Sequence, residues 1–142
     1  MSYSSSFSKS IFVVIFISDK IQQGMYEFLS TKMISEVLNI PKPTLVKILQ
    51  SLNHAQIIET KEGKQGGVRL MKQPAEIRVL DILEAVEKGK PLFHTSFNLL
   101  AEGKRPDKAQ ESVECLLLGA EARMKQALRE KTIADILAEM SQ

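Results

Sequence analysis

Cysteine occurs once in the 142 residues, at Cys115, and histidine twice, at His54 and His94. A single thiol excludes an intrachain disulfide and suits a reducing cytoplasm, where the protein is expected. Neither histidine is expected to be a metal ligand or a catalyst, and no metal site is expected. Long apolar runs are missing too. The longest, residues 11–17, is flanked by Lys9, Ser10, Ser18, Asp19 and Lys20 and is far shorter than the ~20 residues that span a bilayer. It reads as a buried helix, with no membrane association. One basic residue ahead of it and no small-residue cleavage site before Asp19-Lys20 speak against a secretory signal. No nucleophile with its base, no acid–base pair and no phosphate cradle can be found. The glycines within residues 63–67 lack the strand-to-helix context that a phosphate loop requires. No catalytic residue is expected, and the chain is not read as an enzyme. There is no internal repeat, and no low-complexity segment beyond the serine-rich first six residues.

What is present is a chain of one-domain length with 44% hydrophobic and 25% charged residues, enough to bury a core without metal or disulfide staples. The net charge is only +2, but it is unevenly spread. Residues 1–75 hold nine basic against five acidic side chains, or +4, and residues 76–142 hold ten against twelve, or −2. A basic N-terminal half is the modest electrostatic footprint of a nucleic-acid partner.

Residues 7–23 carry apolar side chains nearly all round a helix, which should be wrapped by other elements. Gly24 ends it. In residues 29–38, Met33, Ile34, Val37 and Leu38 form the stripe of a short helix, with Ser30 or Thr31 placed to cap it. Asn39-Ile40-Pro41 breaks that helix, because Pro41 lacks a donor and pushes Ile40 out of the helical region. A second helix opens near Pro43. It has a stripe of Leu45, Ile48, Leu49 and Leu52, and an opposite face of Lys42, Thr44, Lys47, Gln50 and Ser51. Two strand-like runs, 57–60 and 68–71, flank glycines suited to a tight reversal, which predicts a hairpin with Lys61, Lys64 and Arg69 in or beside its tip. Residues 79–86 form another short amphipathic helix stopped by Gly89 and Pro91. Residues 88–107 read as a linker or loop whose Leu92, Phe93, Phe97, Leu99 and Leu100 must pack somewhere. A long helix is expected from Pro106-Asp107, with Asp107 as cap paired with Gln110. Its stripe is Val113, Leu116, Leu117, Ala120, Met124, Ala127 and Leu128. A last short helix spans 132–140.

Helix, helix, turn, helix, hairpin is the order of a winged helix-turn-helix, whose second motif helix enters the DNA major groove while the hairpin wing reaches the neighbouring backbone. The fold class is therefore mainly α with a small β-hairpin wing, plus a long C-terminal dimerisation helix. Residues 1–88 form the DNA-binding domain, 89–106 a linker or sensor loop and 107–142 the dimerisation helices. Candidate DNA contacts are Thr31, Lys42, Pro43, Thr44, Lys47 and Gln50 from the helices and Lys61, Lys64, Gln65 and Arg69 from the wing. The plainer alternative for Thr44, Lys47 and Gln50 is a solvated helix face. One module buries too little DNA for high affinity, so double-stranded DNA should be bound by a homodimer. The long helix, with more apolar stripe than one small core can cover, is its natural seam.

The segments Leu29-Ser-Thr-Lys-Met-Ile-Ser-Glu-Val-Leu-Asn-Ile-Pro, Leu45-Val-Lys-Ile-Leu-Gln-Ser-Leu, Gly66-Gly-Val-Arg-Leu and Val79-Leu-Asp-Ile-Leu-Glu-Ala-Val-Glu, in this order, resemble the Rrf2 family of bacterial transcription regulators. The resemblance covers residues 7–88 and continues loosely through Cys115 to Thr132. It implies a dimeric winged-helix repressor or activator with a long helix crossing between subunits. In the best-known members it also implies an iron–sulfur cluster held by three cysteines.

This sequence departs from that pattern. Only Cys115 stands where the three thiolates would be, so no iron–sulfur cluster and no cofactor are expected. Glu62 replaces the usual wing arginine, Val68 the usual aromatic after the glycines, and Pro43-Thr44 the usual serine and tyrosine, so the DNA sequence read should be this chain's own. Cys115 is expected to be a packed, buried thiol, the alternative being a redox or sensor thiol. The expected function is a cytoplasmic homodimeric regulator, in the first place a repressor, on a pseudo-palindromic operator. The alternative is a protein- or ligand-sensing module that has lost specific DNA binding, with a pocket for a small-molecule effector around Phe93, Phe97, Leu99 and Leu100.

Overall fold

The computed structural model describes residues 5–24, 26–95 and 98–142. Six helices and one hairpin follow in order: α1 (Ser5–Gln22), α2 (Thr31–Leu38), α3 (Lys42–His54), β1 (Ile58–Lys61), β2 (Gly67–Leu70), a 3-10 turn (Pro74–Glu76), α4 (Val79–Glu87), α5 (Lys104–Arg129) and α6 (Ile133–Met140). The fold is a winged helix with a long helix appended, as the hydrophobic periods predict.

α1 is the central post. Val13, Val14 and Ile17 are fully buried, with α2, α3, α4, α6 and β2 packed around the helix. The wrapping is incomplete, because Phe12 remains 61% exposed. α2 starts at Thr31, two residues into the segment 29–38, with one of the two expected caps in place. Ser30 is the cap, its Oγ accepting the Met33 N–H at 3.1 Å, and Leu29 lies outside the helix, paired with Val68 as a bridge beside the wing. Leu29 precedes the cap and Ile34 is the fourth helical residue; both are fully buried, the placement of a hydrophobic staple.

α4 is anchored at its N-terminus by Asp81. Its carboxylate accepts the Arg78 backbone N–H at 2.9 Å and the Arg78 guanidinium at 2.8 Å. Burial pushes the Asp81 carboxyl upward, but the side-chain and backbone hydrogen bonds from Arg78, and the charges of Arg78 and Lys72, outweigh it and leave the group below its ordinary value. Asp135 is also lowered, by the Thr132 backbone N–H and hydroxyl, in the capping box that starts α6. Both carboxyls titrate lower folded than unfolded, so their contribution is complete above the unfolded value, about 4, and is lost as pH falls through the folded values. Asp81→Ala is expected to cost about 1 kcal/mol at pH 7, with the gap to wild type closing toward pH 3. Urea unfolding at both pH values checks this, and an equal gap at the two would exclude the ionised cap.

α5 begins at Lys104, earlier than expected. Gly103 is the cap and no side chain caps the helix, so Asp107 is not the cap but lies in the first turn, where its charge faces the helix dipole. Pro106 fits inside that turn because the N–H it lacks would have no helical partner there. None of the residues of α5 is buried. α6 turns back into the winged-helix core: Ile133 is fully buried, Val79 donates its N–H to Lys131 O and Ile133 donates its own to Ile77 O, both at 2.9 Å. Among residues 88–107, Leu92 and Phe93 are half-buried. Leu99 and Leu100 do not pack as expected, Leu99 being 47% and Leu100 91% exposed among the described residues. Phe97 lies outside the described residues.

Candidate nucleic-acid interface

α3 buries Leu45, Ile48, Leu49 and Leu52, pairs three and four residues apart that fix one face to the core and turn the opposite face outward. Lys42, Pro43, Lys47 and Gln50 are exposed there and Thr44 is half-buried. The approach of α2 to α3 is set by the turn between them. Asn39 ends α2 in the left-handed conformation (φ 53°), donating its N–H to Ser35 O, and the Ser35 hydroxyl donates to Ile40 O at 2.7 Å. Asparagine tolerates that backbone better than most residues. Thr31 is exposed at the first position of α2.

The wing is an antiparallel pair with Glu59 opposite Arg69 and Lys61 opposite Gly67. Lys61, Lys64 and Gln65 are exposed. Arg69 is differently placed. Its guanidinium pairs with Glu59 across the strands and with Glu27 at 3.5 Å, and it lies 4.6 Å from the Phe28 ring centre. The Lys61 ammonium approaches the same ring at 5.5 Å. Arg69 thus clamps the wing to the chain ahead of α2 with its charge already matched, whereas Lys64 presents its charge to solvent. The hairpin period alone pointed to Arg69 as a phosphate contact. The missing signal was register: once Glu59 is known to face Arg69, the pairing follows.

The face combines cations and amides that can meet phosphate oxygens and base edges. Among the described residues no group of three or more His, Cys, Asp or Glu side chains could hold a metal ion. Cys115 is exposed on α5 rather than packed, because no described residue covers α5 on that side. No helix among the described residues is long and apolar enough to cross a membrane. The residues expected to line an effector pocket leave Leu99 and Leu100 in the open. An open groove lies instead between α3 and α4, bordered by Lys47, His54, Lys72, Glu84 and Lys88.

The family model for Rrf2, described as an iron-dependent transcriptional regulator, matches residues 3–139. The chain belongs to the Rrf2 family of transcriptional regulators. Among Rrf2 relatives, the regulator IscR of Cereibacter sphaeroides is 28% identical over 116 residues, 82% of this chain and 74% of that protein. NsrR of Shouchella clausii is 31% identical over 65 residues, 46% of this chain and 44% of NsrR. The chain spans about half the length of the first curated relatives it matches. The solved structure of CymR, the global cysteine regulator of B. subtilis, superposes with a TM-score of 0.67 at 18% identity, covering 98% of both chains. These relatives are regulators rather than enzymes. The Rrf2 description names iron, but iron–sulfur clusters need several thiolates. This chain supplies one in its whole sequence, so its donor set does not fit such a cluster.

Proposed function

We propose that this Rrf2 chain is a cytoplasmic, sequence-specific repressor that binds a pseudo-palindromic operator as a homodimer, without an iron–sulfur cluster. Residues 1–88 are the reader, 89–106 the connecting segment and 107–142 the dimerising part, although α6 also completes the core of the reader. The observation that carries this reading is the outward face of α3, with Lys42, Lys47 and Gln50 exposed in the helix that a helix-turn-helix lays in the major groove. Thr31, Pro43 and Thr44 border that face, and Lys61, Lys64 and Gln65 extend it along the wing. A second copy seated on α5 would set two such helices on successive major grooves, roughly 34 Å apart.

Footprinting on the chain's own upstream region tests the proposal. A protected pair of inverted half-sites at low salt is expected, and the absence of any sequence-preferring complex would sink it. Lys64→Ala should weaken binding to specific and random duplexes alike and flatten the salt dependence by about one unit. Gln50→Ala should instead alter preference at a single base position, because an amide contacts base edges rather than counterion-bearing phosphates. Fluorescence anisotropy across a salt series separates the two.

A further inference from the structure

The outward face of α3 is not wholly polar. Val46 is 48% exposed at the middle of the strip, with Lys42 four residues before it, Pro43 three before, Gln50 four after and Asn53 seven after, all exposed. Spacings of three and four place these residues side by side on one helix face. The core stripe Leu45, Ile48, Leu49 and Leu52 points the other way, so the winged-helix core leaves much of the Val46 side chain in water. A β-branched residue gains nothing for the helix here, since its stiff side chain lowers helix propensity. The polar periodicity of the face hides it from a reading that sorts residues into a core stripe and a polar stripe.

Resting on the DNA-binding reading above, we propose that Val46 is a specificity residue that packs on the 5-methyl group of a thymine in the major groove. Thymine carries an apolar group on its major-groove edge, and apolar side chains are the partners that recognise it. The neighbours fit this occupant. Lys42 and Lys47 stand on either side of Val46 along the helix, and cations on both flanks suit a polyanion better than the apolar face of a protein. Gln50, one turn on, offers the amide that pairs with an adenine edge. Val46 and Gln50 together favour a half-site whose centre contains A·T pairs, with the methyl contact and the amide contact one helical turn apart on the protein.

Deoxyuridine in place of thymine removes the methyl group and nothing else, so it isolates the contact. A preferred duplex is selected from a random-sequence pool with the full wild-type chain, each thymine is replaced in turn by deoxyuridine, and affinities are measured by anisotropy. One thymine per half-site should prove sensitive, its replacement weakening the wild type about threefold to tenfold, as expected for one buried methyl. Val46→Ala should bind the parent duplex more weakly by a similar factor and be indifferent to that replacement, with unchanged thermal unfolding showing that it is folded. Val46→Ile, which keeps the apolar surface, should retain the sensitivity. The proposal is overturned if the wild type selects a sequence in which no thymine methyl matters, or if Val46→Ala keeps full sensitivity to the same replacement. Selection of no sequence by the wild type would overturn the DNA-binding reading itself, and this contact with it, an outcome distinct from the other two.

Discussion

Replacing Gly67 with alanine is expected to open the wing and destabilise the protein by roughly 3–5 kcal/mol, strain and steric overlap adding together. Gly67 has φ +144°, and a Cβ placed on it would lie 2.0 Å from the Leu29 carbonyl oxygen. That carbonyl is not free to move. It accepts the Val68 N–H at 2.8 Å, while the Leu29 N–H donates to Val68 O at 2.9 Å, and both side chains are fully buried. A methyl group therefore separates the wing from the segment that starts α2, exposing two core side chains and breaking two backbone hydrogen bonds. Gly63→Ala is the control. Its φ is +106°, yet nothing lies within 4 Å of the added Cβ, so only backbone strain of about 1–2 kcal/mol is expected. Urea unfolding of both variants, with amide exchange at Val68, checks the order. A Gly67→Ala midpoint no lower than that of Gly63→Ala would show that the close approach does not constrain the wing.

This contact also marks where the sequence stops being legible. The glycines between two strand-like runs announce a reversal, and the hairpin is there, but nothing local says that Gly67 abuts Leu29. Leu29 sits next to a helix stripe and reads as part of it, whereas its backbone is claimed by a bridge to Val68, a partner thirty-nine positions along the chain. The helices themselves followed from apolar spacing, because a stripe at three and four residues has few other uses. Their ends did not always follow: the Asp107-Gln110 pair imitates a capping box, yet α5 starts at Lys104, behind Gly103 and without a side-chain cap. At the candidate interface, exposure of Lys42, Lys47 and Gln50 follows from helical periodicity, and that of Lys64 from its place in the hairpin turn. The matched charge of Arg69 and the exposure of Val46 depend on strand register and on which face the core takes, and those are set by tertiary packing.

Leu116→Glu is expected to leave each subunit folded and to dissociate the proposed dimer, lowering operator affinity by a hundredfold or more, on the order of the avidity lost when two linked sites become one. Leu116 is 69% exposed and Val113 and Leu118 are also open, so within one chain the substitution removes little packing and replaces leucine with another good helix former. At the proposed isologous seam the change enters from both subunits at once. Two carboxylates would then be buried against an apolar face without partners, a placement that costs far more than the lost leucine contacts. The exposed Leu99 and Leu100, just ahead of α5, fit the same covered surface. Sedimentation equilibrium should therefore show a dimer for the wild type and a monomer for Leu116→Glu at equal concentration and with the same circular dichroism. Binding to an isolated half-site should be nearly unchanged while binding to the paired half-sites collapses. A variant that stays dimeric would place the seam elsewhere than on α5. One that becomes monomeric yet binds the paired sites as tightly as wild type would remove dimerisation from the account of affinity.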